Sequence, residues 1–103
     1  MQDAERTPRT KTRLAVIGAG LVGKKHIALI RQSPICRLVC IVDPDEGARK
    51  LAEDLSVHWY PSVNKMCAEE MVDGAIVATP NQFHVEHGLR LIDHGVPVLI
   101  EKP

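Results

Sequence analysis

From Arg13 onward, short apolar runs alternate with longer stretches in which apolar residues recur every three or four positions. The runs are LAVIG from Leu14, RLVCIVD from Arg37, VHWY from Val57, GAIVAT from Gly74 and PVLIE from Pro97, and they predict five strands. Several are almost wholly apolar, as expected of strands with helices on both sheet faces. Between the first two runs, LVGKKHIALIRQS puts Val22, His26 and Leu29 on one stripe with Ile27 and Ile30 beside it. That spacing predicts a helix with a wide apolar face, ending near Ser33 before Pro34. Asp43 or Asp45 can cap a second helix, DEGARKLAEDL, and Ser62 or Asn64 a shorter one ending at Met71. Asn81 begins a fourth, with Val85, Leu89 and Ile92 at helical spacing and Gly95 as its stop.

Strands and helices in strict alternation make βαβ units, and right-handed crossovers leave few arrangements. The commonest is a doubly wound, three-layer α/β fold of Rossmann type, with a parallel sheet in the order 3-2-1-4-5 and ligands at the carboxyl ends of strands 1 and 4. A length of 103 residues with 45% hydrophobic residues suits one domain, expected over residues 13–103. Residues 1–12, mixed in charge, read as a flexible leader.

Lys plus Arg equals Asp plus Glu at 13 each, so no overall field steers the chain toward nucleic acid or an anionic membrane. No apolar run approaches the roughly 18 residues of a membrane span, and MQDAERTPRTKTR lacks the apolar segment of a secretion signal. The three cysteines are an odd number, and Cys36 and Cys40 on one strand would lie about 13 Å apart, too far for a disulfide. Free thiols fit a reducing compartment, and a cytoplasmic location is the expectation.

The apolar run VIGAGLVG ends in G-x-G-x-x-G, formed by Gly18, Gly20 and Gly23. Gly18 permits the tight turn, Gly20 lets a pyrophosphate approach the backbone, and Gly23 lets helix and strand pack closely. Leu21 and Val22 open the helix whose free N–H groups meet the negative charge. The second strand ends at Asp43, 20 residues past Gly23, where a carboxylate can accept hydrogen bonds from the adenosine ribose hydroxyls. The same carboxylate would repel a 2′-phosphate, and Pro44 follows where an Arg could have compensated, so NAD is favoured over NADP. Arg49 and Lys50 read as a solvated helix face.

With these motifs placed, three longer markers carry a family resemblance: GAGLVGKKH with His26, ATPNQFH from Ala78 to His84, and EKP from Glu101 to Pro103. The chain resembles the N-terminal domain of the Gfo/Idh/MocA oxidoreductase family from about Arg13 to Pro103. The resemblance implies hydride transfer between nicotinamide and a hydroxyl-bearing carbon, usually on a sugar or polyol. It assigns Lys102 the catalytic place beside the nicotinamide ribose and the reacting hydroxyl, with Glu101 near the ribose. Thr79, Pro80, Asn81 and His84 would line the nicotinamide side. An ammonium there can hydrogen-bond the substrate oxygen and stabilise alkoxide character as hydride leaves.

Family members continue into a sixth strand and a substrate domain that supplies an Asp and a His. The sequence stops at Pro103, so the polypeptide is expected to bind dinucleotide with little or no turnover. Its bare docking surface would favour a homo-oligomer. The alternative is a stand-alone NAD-binding regulatory or redox-sensing module. His84 and His87 are three apart on one helix, but two ligands fall short of a metal site and none is expected. Lys24 and Lys25 read as solvated, His58 and His94 as surface residues, and Trp59, Tyr60 and Pro61 as packing near the third strand.

Overall fold

The computed structural model describes residues 11–100, with the side chains of Asn81, Gln82 and Ile100 outside that description. Five parallel strands carry the fold: β1 (Thr12–Ile17), β2 (Cys36–Val42), β3 (His58–Tyr60), β4 (Gly74–Val77) and β5 (Val98–Ile100). Four helices connect them: α1 (Leu21–Gln32), α2 (Glu46–Leu55), α3 (Val63–Glu69) and α4 (Asn81–Asp93). The sheet order is β3-β2-β1-β4-β5, the order that the alternation of the sequence predicts. The expected leader lies outside the described residues except for Lys11 and Thr12, and Thr12 already belongs to the sheet, donating its N–H to the Ile35 carbonyl at 2.9 Å.

Near-continuous burial along the strands comes from two separate cores. Val16, Ile41 and Ile76 meet Ile27 and Ile30 of α1 and Ala48 and Ala52 of α2 on one face. Ala15, Ile17, Val42 and Val77 meet Val63 and Met66 of α3 and Leu91 of α4 on the other. Adjacent strand residues therefore serve opposite faces, and neither face can be polar.

Two helix faces differ from the sequence expectation. In α1 the sheet side is Gly23, Ile27 and Ile30, while Val22 and Leu29 are exposed. In α4 the buried residues are Gly88 and Leu91, with His84 and His87 half-buried, and Val85, Leu89 and Ile92 stand in the open. A period of 3.6 defines a stripe but not which side of it meets the sheet; in α1 the backbone contact of Gly23 with Gly18 decides it. Helix α3 also ends earlier, at Glu69, because Glu70 turns extended and sends its side chain back to the sheet.

Candidate functional site

The carboxyl ends of β1, β2 and β4 meet around the glycine turn. Gly18 has φ +98°, a region that L side chains avoid, and a Cβ there would lie 2.8 Å from Thr79 Cγ2. Its N–H donates to the Val42 carbonyl at 2.7 Å, tying the turn to β2. A Cβ on Gly23 would run into the Gly18 carbonyl, so helix and turn touch backbone to backbone. Gly20 differs from both: its φ is −76° and a Cβ would meet nothing within 4 Å. Neither backbone strain nor any protein atom requires glycine at that position, which suits a helix N-cap and leaves room for a ligand to approach the backbone closely. Gly20 N-caps α1 without a side-chain bond, and the first-turn residues Leu21, Val22 and Gly23 precede the first intrahelical bond, Lys24 N–H to the Gly20 carbonyl at 2.9 Å. With no acidic residue in that turn, the positive end of the helix dipole is open to an anion.

Asp43, at the end of β2, closes this turn from the other side. One carboxylate oxygen accepts from the Ala19 N–H at 2.9 Å and the other from the Asp45 N–H at 2.9 Å. Its own N–H donates to the Tyr60 carbonyl at 3.1 Å. Each oxygen retains acceptor capacity, which two neighbouring ribose hydroxyls could fill. Asp45, rather than Asp43, caps α2, accepting from the Gly47 N–H at 2.8 Å.

Two cavities share Asp43 as a wall. One of about 260 Å³ runs along Ala19, Gly20, Lys24, Asp45 and Gly47. The other, about 280 Å³, lies on the opposite sheet face beside Pro44, Asn64, Thr79 and His87. Thr79 Oγ1 and His87 Nδ1 are 3.1 Å apart, and burial holds the His87 imidazole below its usual pKa, so it is neutral at neutral pH. Phe83 lies against the same ring, with centroids 6.0 Å apart. A larger cavity of about 680 Å³ opens at the amino ends of β1 and β2, remote from the glycine turn.

Of the residues singled out in the sequence, the fold brings together Gly18, Gly20, Leu21, Val22, Gly23, Asp43 and Thr79. Pro80 caps α4, Asn81 is its first residue, and His84 is half-buried on its sheet side. Glu101 and Lys102 lie outside the described residues. His84 and His87 gather no third ligand: no group of three His, Cys, Asp or Glu is placed to hold a metal among the described residues. Lys24, read as solvated, lines the cavity beside Asp43. Both Lys24 and Arg49 are exposed, as the sequence leads one to expect, and the Arg49 guanidinium in addition lies 5.6 Å from the Trp59 ring centroid. Trp59 itself donates Nε1–H to the Asp43 carbonyl at 2.9 Å. Nothing in the spacing of the sequence marks that contact, because it joins the residue just past β2 to one on β3.

Residues 12–103 match the model of the oxidoreductase family with an NAD-binding Rossmann fold, Gfo/Idh/MocA. The chain belongs to the Gfo/Idh/MocA family. Rhizopine catabolism protein MocA of Rhizobium meliloti is 30% identical over 94 residues, covering 91% of this chain and 30% of the relative. Inositol 2-dehydrogenase 4 of Saccharopolyspora erythraea is 38% identical over 96 residues, covering 88% and 28%. Among solved structures, the WlbA dehydrogenase of Bordetella pertussis in complex with NADH and UDP-GlcNAcA superposes with a TM-score of 0.84 at 30% identity, over 90% of this chain and 29% of that one. The chain therefore spans less than a third of the length of these Gfo/Idh/MocA relatives. NAD is the cofactor of the matched domain. No helix among the described residues is long and apolar enough to cross a membrane.

Proposed function

We propose that this domain holds NAD(H) across the glycine turn and presents its nicotinamide for hydride exchange with the hydroxyl-bearing carbon of a sugar, polyol or related ring. The observation that carries the reading is Gly20, where no protein atom lies within 4 Å of a Cβ, at the uncapped start of α1 and on one cavity with the carboxylate of Asp43. The first-turn N–H groups of Leu21, Val22 and Gly23 receive the pyrophosphate. Asp43 accepts from the adenosine ribose, and Asp45 on the same cavity adds to the repulsion of a 2′-phosphate.

Thr79, Pro80, Asn81 and His84 shape the nicotinamide side at the end of β4, with Glu101 near the ribose. The bound nicotinamide supplies the hydride acceptor or donor. Lys102 hydrogen-bonds the substrate oxygen and stabilises the charge that develops on it. With less than a third of the relatives' length, the 103-residue polypeptide is expected to bind cofactor and turn over little or no polyol. Robust dehydrogenase activity from it would refute that part.

Calorimetric titration with NADH and NADPH at fixed salt tests the site. NADH is expected to bind more tightly, and Asp43→Ala to weaken NADH about ten- to a hundredfold, the range for hydrogen bonds to a charged group. Equal affinity for both cofactors, or an Asp43→Ala chain that binds NADH as well as wild type, goes against the assignment.

A further inference from the structure

Asp43 lines both of the smaller cavities and holds the glycine turn through Ala19, so what holds its backbone matters as much as its carboxylate. Its carbonyl oxygen accepts from the Trp59 indole N–H at 2.9 Å. Trp59 is half-buried on β3, an edge strand of the sheet, and its ring packs against the core between the sheet and α1 and α2. The Arg49 guanidinium lies over that ring, 5.6 Å from its centroid, and is itself 3.7 Å from Glu46. These contacts close a circuit: Asp43 receives the N–H of Asp45, Asp45 caps α2, α2 carries Arg49, Arg49 covers Trp59, and Trp59 returns a hydrogen bond to Asp43.

An edge strand of three residues has little of its own to fix a side chain at the neighbouring strand's end. An aromatic ring held on both sides supplies that, because it is rigid and loses little entropy in donating. Without the indole N–H, the Asp43 carbonyl loses this partner, and Asp43 is held only by its N–H bond to the Tyr60 carbonyl and by the bonds its carboxylate accepts from Ala19 and Asp45.

We propose that Trp59 is a positioning residue for the cofactor, acting through Asp43: its indole N–H and the Arg49 lid fix the carboxylate that binds the ribose and excludes NADPH. The inference rests on the assignment of Asp43 to the ribose.

Trp59→Phe keeps an aromatic ring for packing and for Arg49 but removes the donor. Titration of this variant is expected to show NADH bound about three- to tenfold more weakly, the range of one hydrogen bond, with NADPH affinity unchanged within twofold. In an Asp43→Ala background the same substitution is expected to have no further effect on NADH, since the residue acts only through that carboxylate. Trp59 is the single tryptophan, so biosynthetic replacement by benzothienylalanine, which keeps the indole shape and carries no N–H, gives a second variant for a Trp59→Phe chain that does not fold.

Wild-type NADH affinity in the donor-free variant overturns the proposal. So does equal weakening of NADH and NADPH, or an undiminished effect in the Asp43→Ala background, either of which marks Trp59 as packing alone. A wild-type chain that fails to bind NADH, or whose affinity is indifferent to Asp43→Ala, fails at the earlier step and is separately recognisable.

Discussion

Gly18, Gly20 and Gly23 belong to one motif, yet a methyl group at each would meet a different obstacle. At Gly23 it would overlap the Gly18 backbone, and at Gly18 it would crowd Thr79 in a conformation that L residues avoid. At Gly20 it would meet nothing. Gly23→Ala is therefore expected to cost about 1–3 kcal/mol of stability, seen as a lower urea midpoint. Gly20→Ala should cost under about 1 kcal/mol, the difference between Gly and Ala as a helix cap, while weakening NADH at least tenfold by calorimetry. An alanine at Gly20 that leaves NADH binding intact would detach the motif from ligand binding. The spacing of the three glycines and the task expected of each were legible in the sequence; what a methyl group would meet at each was not, because that depends on what lies around it. Cys40 follows the same logic: burial foremost, with Glu70 nearby, pushes its thiol up to about 12, so the central cysteine is protonated and unreactive.

Between elements, Glu70, just past α3, is a polar junction. Its nearly buried carboxylate lies 2.9 Å from the Arg13 guanidinium, 2.6 Å from His58 Nδ1 and 2.8 Å from the Tyr60 hydroxyl, joining β1, β3 and α3. The backbone beside it is tied in the same way, with Arg13 Nε on the Met71 carbonyl and the Arg13 N–H on Asp73. Burial alone would raise the pKa of Glu70, but the bonds from His58 and Tyr60 and the charges of His58 and Arg13 outweigh it and hold it below the usual carboxylate value. A depressed folded pKa stabilises the protein above the unfolded value, and that contribution disappears as pH falls through the folded one. Glu70→Gln is accordingly expected to lower the urea midpoint at pH 7, with the gap to wild type closing as pH drops below the ordinary carboxylate range. A gap that stays constant or widens in acid would contradict this account. The helix period shows the same limit at this scale: it announced α4 but chose Val85, Leu89 and Ile92 as its face, where the sheet instead receives Gly88 and Leu91.

For the molecule as a whole, that misread stripe becomes surface. Val85, Leu89 and Ile92 on α4 and Leu99 on β5 are all more than half exposed, and β5 is an edge of the sheet. An exposed apolar stripe on α4, together with an exposed leucine on a strand that is at the sheet edge among the described residues, predicts concentration-dependent association of the 103-residue polypeptide. Leu89→Glu is expected to reduce that association in sedimentation velocity while shifting stability by no more than about 0.5 kcal/mol. A wild-type chain that sediments as a monomer at every concentration would argue against this patch as a contact. The order of strands and helices, the parallel sheet, the glycine turn and the acidic residue at the end of β2 all follow from the sequence alone, because each rests on local periodicity or on short spacing along the chain. Tertiary structure decided which helix faces are covered, that Asp43 clasps Ala19 while Asp45 does the capping, and that Trp59 reaches back to the Asp43 carbonyl. Those outcomes depend on atoms far apart in sequence meeting in space, and no periodicity records such meetings.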